Sequence, residues 1–497
     1  MPELLDGTGE ALAAAEPAAD ASRPSNGGAD RGFAATARHW LRSHVVVLVG
    51  VPVATITLFL LYLHQARFTP LNADGSSNAL QAWDMLHGNV LLSNWSLSDV
   101  SFYFTELPEY MLVEAVHGLN GDVVHVAAAL SYTLAVLLAC WLGRGAARGV
   151  EAFVRILIVL VVMLAPGHGS GSLLLGSPDH FGTSVPLLVI FLAVERLPRR
   201  RFTPVVLFVL LTWAEASDST TIFIAGGGMA VVSGMRLWQG RGDRRYEASL
   251  FAAATLSVAA AAGIHKVIQQ LGGFGAASPD MIFNGSADMP NALWITVRSY
   301  LSVFSADFFG LPLSRSYIIL LHLFGAAMVT WALAITARRL FRSTQDDGGD
   351  DGDADSGDTE DSDGDRIAKL ITVGVLLNII GLMFSSQISG GDREIAAALP
   401  LGAVAAARVL GPRMVHRKHI AVLSLFAVTF GVVLASNAAV AGAPADSRAA
   451  ELWLKAHGYT YGLGGYWSSH NITVESRDTV RVRPVTIGQK GIEQYDW

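Results

Sequence analysis

The chain has 497 residues, 52% of them hydrophobic and only 15% charged, with a mean hydropathy of +0.41 and a formal net charge of −7. A soluble protein carries about a quarter charged residues, so the composition excludes a soluble enzyme and a basic nucleic-acid binder. The lone cysteine, Cys140, also excludes a disulfide-built secreted domain. What remains is an all-α polytopic membrane protein. Its negative charge has one local source, because Asp346 to Asp365 hold ten Asp and one Glu without a Lys or Arg.

Residues 1–44 are rich in Ala, Gly, Pro, Asp and Glu and lack apolar periodicity, which reads as a disordered cytoplasmic tail. The first apolar run begins at Val45 with no small-residue cleavage pattern after it, so a signal peptide is not expected. A membrane-crossing helix needs about 20 mostly apolar residues. The candidate runs are Val45–Leu63, Val123–Leu142, Phe153–Pro166, Val185–Ala193, Val205–Ala216, Thr221–Leu237, Ala248–Ile268, Tyr317–Ala337, Ile371–Ser386, Ile395–Leu410 and Ile420–Ala441. These predict about eleven spans within a membrane domain covering 45–441.

Cations gather on alternate connections: Arg38 and Arg42, Arg144 and Arg148, Arg196 with Arg199–Arg201, Arg241 with Arg244 and Arg245, Arg338 with Arg339 and Arg342, and Arg413 with Arg417 and Lys418. That asymmetry predicts a cytoplasmic N-terminus. It leaves a long first outer loop, 64–121, and a small extracytoplasmic tail, 442–497. The acidic stretch falls in a cytoplasmic loop, 343–366. It lacks the final Glu of a calcium-binding loop and reads as solvated and disordered.

Chemistry should concentrate where polar residues gather outside. In the first outer loop the stretch "NALQAWDMLHG" spaces Leu80, Trp83 and Leu86 as an amphipathic surface helix would. Next, "SPDHFGTSVP" sets Asp179–His180 at a helix entrance, as a cap or as part of a site. "TWAEASDSTT" puts Glu215 and Asp218 at a helix end, facing either a cavity or an interfacial turn. "GGDREIAAALP" carries Arg393, one of few outer cations, which suits either a phosphate or a local ion pair with Asp392 or Glu394. The glycines of "AGGGMA" (225–230) lie inside an apolar run and read as close helix packing rather than a phosphate loop.

A first helix, a long outer loop with an early Asp, and about ten further helices together resemble the GT-C superfamily of glycosyltransferases, which use polyprenyl-phosphate sugars. The residues that carry the resemblance are "PLNADGSSNALQAWDMLHGN" and "NWSLSDVSFYFTELPEYML", supported by "SPDH", "GGDREIAAALPLGA" and "YGLGGYWSSHNITV". The family's acidic pair differs here, because Asp74 is followed by Gly75. The resemblance implies transfer of a hexose or pentose to a glycan, lipid or protein acceptor on the extracytoplasmic face of the bilayer. Asp74 would be the general base, and Asp99 and Asp179, assisted by His180, would orient the acceptor or hold a divalent metal. Arg393, with Lys266 or Arg298 as substitutes, would take the lipid phosphate, while Trp95, Tyr103 and Glu106 are further candidate substrate contacts. A transporter or lipid flippase, and a non-catalytic protein of GT-C-like fold, remain the alternatives.

Overall fold

The computed structural model describes residues 49–97, 100–167, 173–276, 282–312, 317–345, 363–386, 390–437, 447–488 and 491–494. The expected N-terminal tail and nearly all of the acidic stretch lie outside these residues. The chain divides into two units at Ile56. Of the first, residues 49–56 are described and include the opening turns of α1 (Val51–Ala66).

The second unit continues from Thr57 through helices α2 (Ala73–Leu86), α3 (Glu106–His117), α4 (Asp122–Arg144), α5 (Gly149–Met163), α6 (Ser184–Arg196) and α7 (Thr203–Glu215). A π-helical turn at Ile222–Gly227 leads into α8 (Gly228–Trp238). After it come α9 (Arg244–Gln270), α10 (Met289–Val303), α11 (Tyr317–Gln345), α12 (Asp363–Phe384), the single turn α13 (Gly391–Glu394), α14 (Ala398–Leu410) and α15 (Arg417–Asn437). A helix occupies each of the eleven apolar runs, but among the described residues only five helices are long and apolar enough to cross a membrane. These are Asp122–Arg144, Arg244–Gln270, Tyr317–Phe341, Arg366–Phe384 and Arg417–Asn437. The others, as far as the described residues go, fall short of the expected span. α6, α7 and α14 have 13 residues each, about 20 Å at 1.5 Å per residue.

α14 is the axis of the packing. All its residues except Leu410 are buried, and it packs against α4, α5, α11 and α12. Its sequence, ALPLGAVAAARVL, is small-residue rich. In lipid, helices gain little by hiding apolar surface from one another, so close van der Waals approach has to hold them together. The same device joins α8 to α12. A Cβ on Gly228 would stand 2.6 Å from the Leu370 carbonyl oxygen, which is why glycine is needed there.

Much of the stretch expected as the first outer loop, 64–121, is folded into helices and a small core. Met85, Leu92, Phe102, Tyr103 and Leu107 form a small core with Phe274, and parallel pairing of β1 (Ser96–Leu97) with β2 (Gly275–Ala276) ties the loop to the segment after α9. α2 forms where its periodicity predicts, but it is not a surface helix. Nine of its residues, including Ser76, Asn78 and Gln81, are buried, and it packs on α3 and on the tail. The tail has a helix at its centre. α16 (Arg448–Ala456) and β3 (Tyr461–Gly464) precede α17 (Tyr466–Glu475), which docks on α2. β4 (Arg481–Gly488) then pairs parallel with β3 and antiparallel with β5 (Gly491–Gln494). Asn471, within an N-glycosylation sequon, is 8% exposed and donates to the Leu71 carbonyl at 3.0 Å, so it belongs to this docked interface.

Candidate functional site

Asp74 is presented by a helix start. Asn72 caps α2, its Oδ1 accepting the Asp74 amide at 2.9 Å, and its Nδ2 donates to Ser177 Oγ at 3.1 Å. The cap places Asp74 in the first turn, where the helix dipole favours a carboxylate. Gly75 lets the turn approach α4 and the 177–180 segment, because a Cβ there would lie 2.7 Å from Val124 Cγ1 and 2.8 Å from Ser177 Cβ.

Two donors meet the Asp74 carboxylate. Arg393 Nη1 donates to Oδ2 at 2.6 Å, and the Tyr466 hydroxyl donates to Oδ1 at 2.5 Å. Arg393 sits on α13 after Gly390, whose φ of 82° turns the chain into that short helix. Asp392 Oδ1 accepts the Arg393 backbone amide at 3.1 Å, and the Asp392 carboxylate also takes a side-chain hydrogen bond from Ser302. The guanidinium reaches across the fold to Asp74 at the start of α2.

Asp179 and His180 adjoin this pair. Asp179 is 5% exposed and accepts from Asn78 Nδ2 at 2.6 Å. Burial, reinforced by the Asp74 charge, pushes its pKa up to about 6, although hydrogen bonds from Ser177 and Asn78 pull the other way. It is not the cap of α6, a position held by Thr183. His180 has Nδ1 3.8 Å from Asp218 Oδ2 and Nε2 3.8 Å from Glu394 Oε1. Burial alone would lower its pKa, but the charges on Glu394, Asp218 and Asp179 outweigh burial and raise it. Among the described residues, Asp179 Oδ2 and His180 Nδ1 have no hydrogen-bond partner.

Behind His180, the Thr183 hydroxyl donates to Asp218 Oδ2 at 2.6 Å, and Glu106 Oε1 lies 3.3 Å from the same hydroxyl. Asp218 Oδ1 accepts the Thr220 amide and hydroxyl at 2.8 and 2.7 Å. Burial drives the Glu106 pKa far above the ordinary carboxylate range, against a hydrogen bond from Thr105 and with help from the Asp218 charge. Phe102 packs edge-on against His180, with centroids 5.4 Å apart. Both residues hold positive φ, 52° and 58°, a strained backbone for side chains of this size.

The structure therefore brings together Asp74, Asp179, His180, Arg393 and Glu106 of the sequence candidates, and adds Asp218 and Glu394, whose segments had been singled out. Asp99 lies outside the described residues. Four other candidates are placed elsewhere. Trp95 donates to Asp84 Oδ2 at 2.9 Å and Tyr103 to the Val90 carbonyl at 2.7 Å, so their polar atoms hold the loop's own core together. Lys266 is exposed on α9. Arg298 forks onto Asp307 at 2.7 and 3.1 Å. Neither cation is hydrogen-bonded to the cluster.

Sequence reasoning missed Tyr466, Asn72, Asn78 and Thr183. All four lie in segments quoted above, Asn72 and Asn78 in "PLNADGSSNALQ", Thr183 in "SPDHFGTSVP" and Tyr466 in "YGLGGYW", but residue type alone did not mark them out. Among the described residues, no group of three or more His, Cys, Asp or Glu is arranged to hold a metal ion. In comparison with known proteins, no family model and no curated protein matches the chain.

Proposed function

We propose that the chain is a membrane glycosyltransferase of GT-C type, moving a sugar from a polyprenyl phosphate to an acceptor hydroxyl on the extracytoplasmic face. The observation that carries this reading is the 2.6 Å pair between Asp74 and Arg393, with Asp179 and His180 beside it. A carboxylate and a guanidinium on one outer cluster are the two groups such a transfer requires. The acceptor oxygen attacks the anomeric carbon as Asp74 takes its proton. The bond from that carbon to the phosphate oxygen breaks, and the phosphate leaves with its electron pair to be held by Arg393.

Arrival of the donor draws the guanidinium from Asp74 to the phosphate and frees Oδ2 for the acceptor, so the base is uncovered only when a donor is present. The cation asymmetry supports a cytoplasmic N-terminus and an outer position for the cluster. The short apolar helices complete about eleven crossings, with local bilayer thinning around them.

The test uses the full chain in sealed vesicles with a polyprenyl-phosphate hexose or pentose labelled in the sugar. Wild type should form a new glycosidic bond, and Asp74→Asn should form none at equal abundance in the membrane. Movement of the intact sugar-lipid across the vesicle wall without bond formation would replace this reading with transport.

A further inference from the structure

The tail that brings Tyr466 to Asp74 also sets an open aromatic surface beside the cluster. α17 is firmly anchored. Its residues from Ser469 to Val474 are buried, Asn471 donates to the Leu71 carbonyl at 3.0 Å, and the His470 ring packs edge-on against Tyr466 with centroids 5.5 Å apart. Gly464 lets β3 lie close over the helix, because a Cβ there would stand 3.0 Å from Ser469 Oγ. The first turn of α17 is therefore held at a set distance from the start of α2.

Trp467 is the part of that turn left uncovered. It is 66% exposed, and its ring meets Tyr466 edge-on at 5.3 Å and 81°. The Tyr466 hydroxyl reaches Asp74 Oδ1 at 2.5 Å, so the indole centre lies within about 11 Å of that carboxylate oxygen. Asp74 and Arg393 are themselves partly open to solvent, which leaves the carboxylate within reach of an acceptor. The tail carries a second aromatic surface, where Trp453, His457 and Tyr459 stack nearly parallel, with interplanar angles of 26°, 19° and 13°.

An acceptor must hold one hydroxyl at Asp74 while the rest of it is gripped elsewhere. A sugar ring meets both demands. Its C–H face carries partial positive charge that matches the negative face of an indole, and its hydroxyls radiate from the rim toward whatever lies beside the stack. An acyl chain would pack as well on Leu or Ile, since only apolar area counts for it. We propose that the acceptor is a saccharide chain, one of whose rings stacks on Trp467 while a hydroxyl of the same or the neighbouring ring meets Asp74. The proposal rests on the transferase reading of the Asp74 cluster and gives the acceptor its chemical class.

The experiment separates binding from transfer. The full chain in nanodiscs is titrated with mannotetraose, galactotetraose and arabinotetraose, and bound sugar is read by saturation-transfer NMR and calorimetry. Wild type should bind at least one of them. Trp467→Ala should weaken that binding about tenfold, with a thermal midpoint equal to wild type because the indole is exposed, and Trp467→Tyr should keep most of it. Asp74→Asn should bind the same sugar and transfer nothing to it. No binding of any of the three, or binding that Trp467→Ala leaves unchanged, overturns the proposal and leaves the transferase reading to its own test. Loss of binding in Trp453→Ala but not in Trp467→Ala would move the site to the stacked trio and overturn it as well. So would fluorescence that brominated phospholipid quenches in wild type and that is missing in Trp467→Phe, since the indole would then sit in the bilayer. Binding by a wild type that forms no glycosidic bond overturns the transferase reading, and with it the sugar's role as acceptor, but keeps Trp467 as a saccharide site.

Discussion

Arg393 donates to Asp74 across 2.6 Å although 319 positions separate the two residues in the chain. Their side chains are 38% and 25% exposed. An ion pair so open to solvent contributes about 0–1 kcal/mol to stability, so holding the fold together does not account for it. Arg393→Gln should leave the thermal midpoint nearly unchanged while lowering kcat for sugar transfer about 10²- to 10³-fold, as expected for loss of a donor to a developing oxyanion. A large fall in midpoint with little change in kcat per folded molecule would assign the pair to structure instead.

Tyr466 brings the tail into the site. Its hydroxyl is the second donor to Asp74, at 2.5 Å, while its ring packs edge-on with Trp467 and His470. Tyr466→Phe keeps the ring and removes the hydrogen bond. The expected result is an intact fold and a kcat/KM lowered about tenfold, the usual value of a hydrogen bond to a charged group. Steady-state kinetics paired with a melting curve separates the two effects.

The cluster should make stability depend on pH. Asp179 has its pKa raised from 3.8 to about 6, so the folded chain binds that proton more tightly than the unfolded one. Its stabilising contribution is complete below about pH 4 and is lost as pH rises to about 6, a change of about 3 kcal/mol. His180, also raised, contributes stability below its ordinary pKa and loses it as pH climbs through the folded value. Glu109, at about 7 through burial opposed by its Ser131 hydrogen bond, slopes the same way. Asp179→Asn should therefore decline less steeply than wild type between about pH 4 and 6, with the His180 and Glu109 slope above that range retained. Melting curves across this range in detergent give the comparison, and identical slopes would remove Asp179 as the source.

Gly75 tests how tightly Asp74, the proposed base, is placed. A Cβ there would meet Val124, Ser177 and the Tyr110 hydroxyl within 3.2 Å. Overpacking of this kind costs about 1–3 kcal/mol. Gly75→Ala should lower the thermal midpoint and also reduce transfer by the molecules that remain folded, because α2 cannot move away from α4 without carrying Asp74 with it. Activity per folded molecule equal to wild type would show that the site tolerates the shift.

Much of the helical layout was legible without coordinates. Each apolar run became a helix because a long apolar segment satisfies its backbone polar groups locally, and that depends on composition and length alone. Where the helices begin and end was less legible. Six of the eleven runs form helices that fall short of a full crossing, since glycine and proline punctuate them and neighbouring side chains decide where a short helix stops. The buried position of α2 was not visible either. Its amphipathic spacing is the same for a helix lying on a bilayer and for one clasped between α3 and the tail.

The site divides in the same way. Sequence alone marked the segments of Asp179, His180 and Arg393 as polar or charged stretches at helix ends, and the GT-C resemblance singled out Asp74. It also marked Trp95, Tyr103, Lys266 and Arg298, since residue type does not reveal which polar atoms the fold already occupies. Only tertiary structure decided that Arg393 pairs with Asp74, and that a tyrosine from the tail also donates to that carboxylate. Contacts across hundreds of residues leave no periodicity or spacing in a single chain, because they come from how helices pack and not from where they occur.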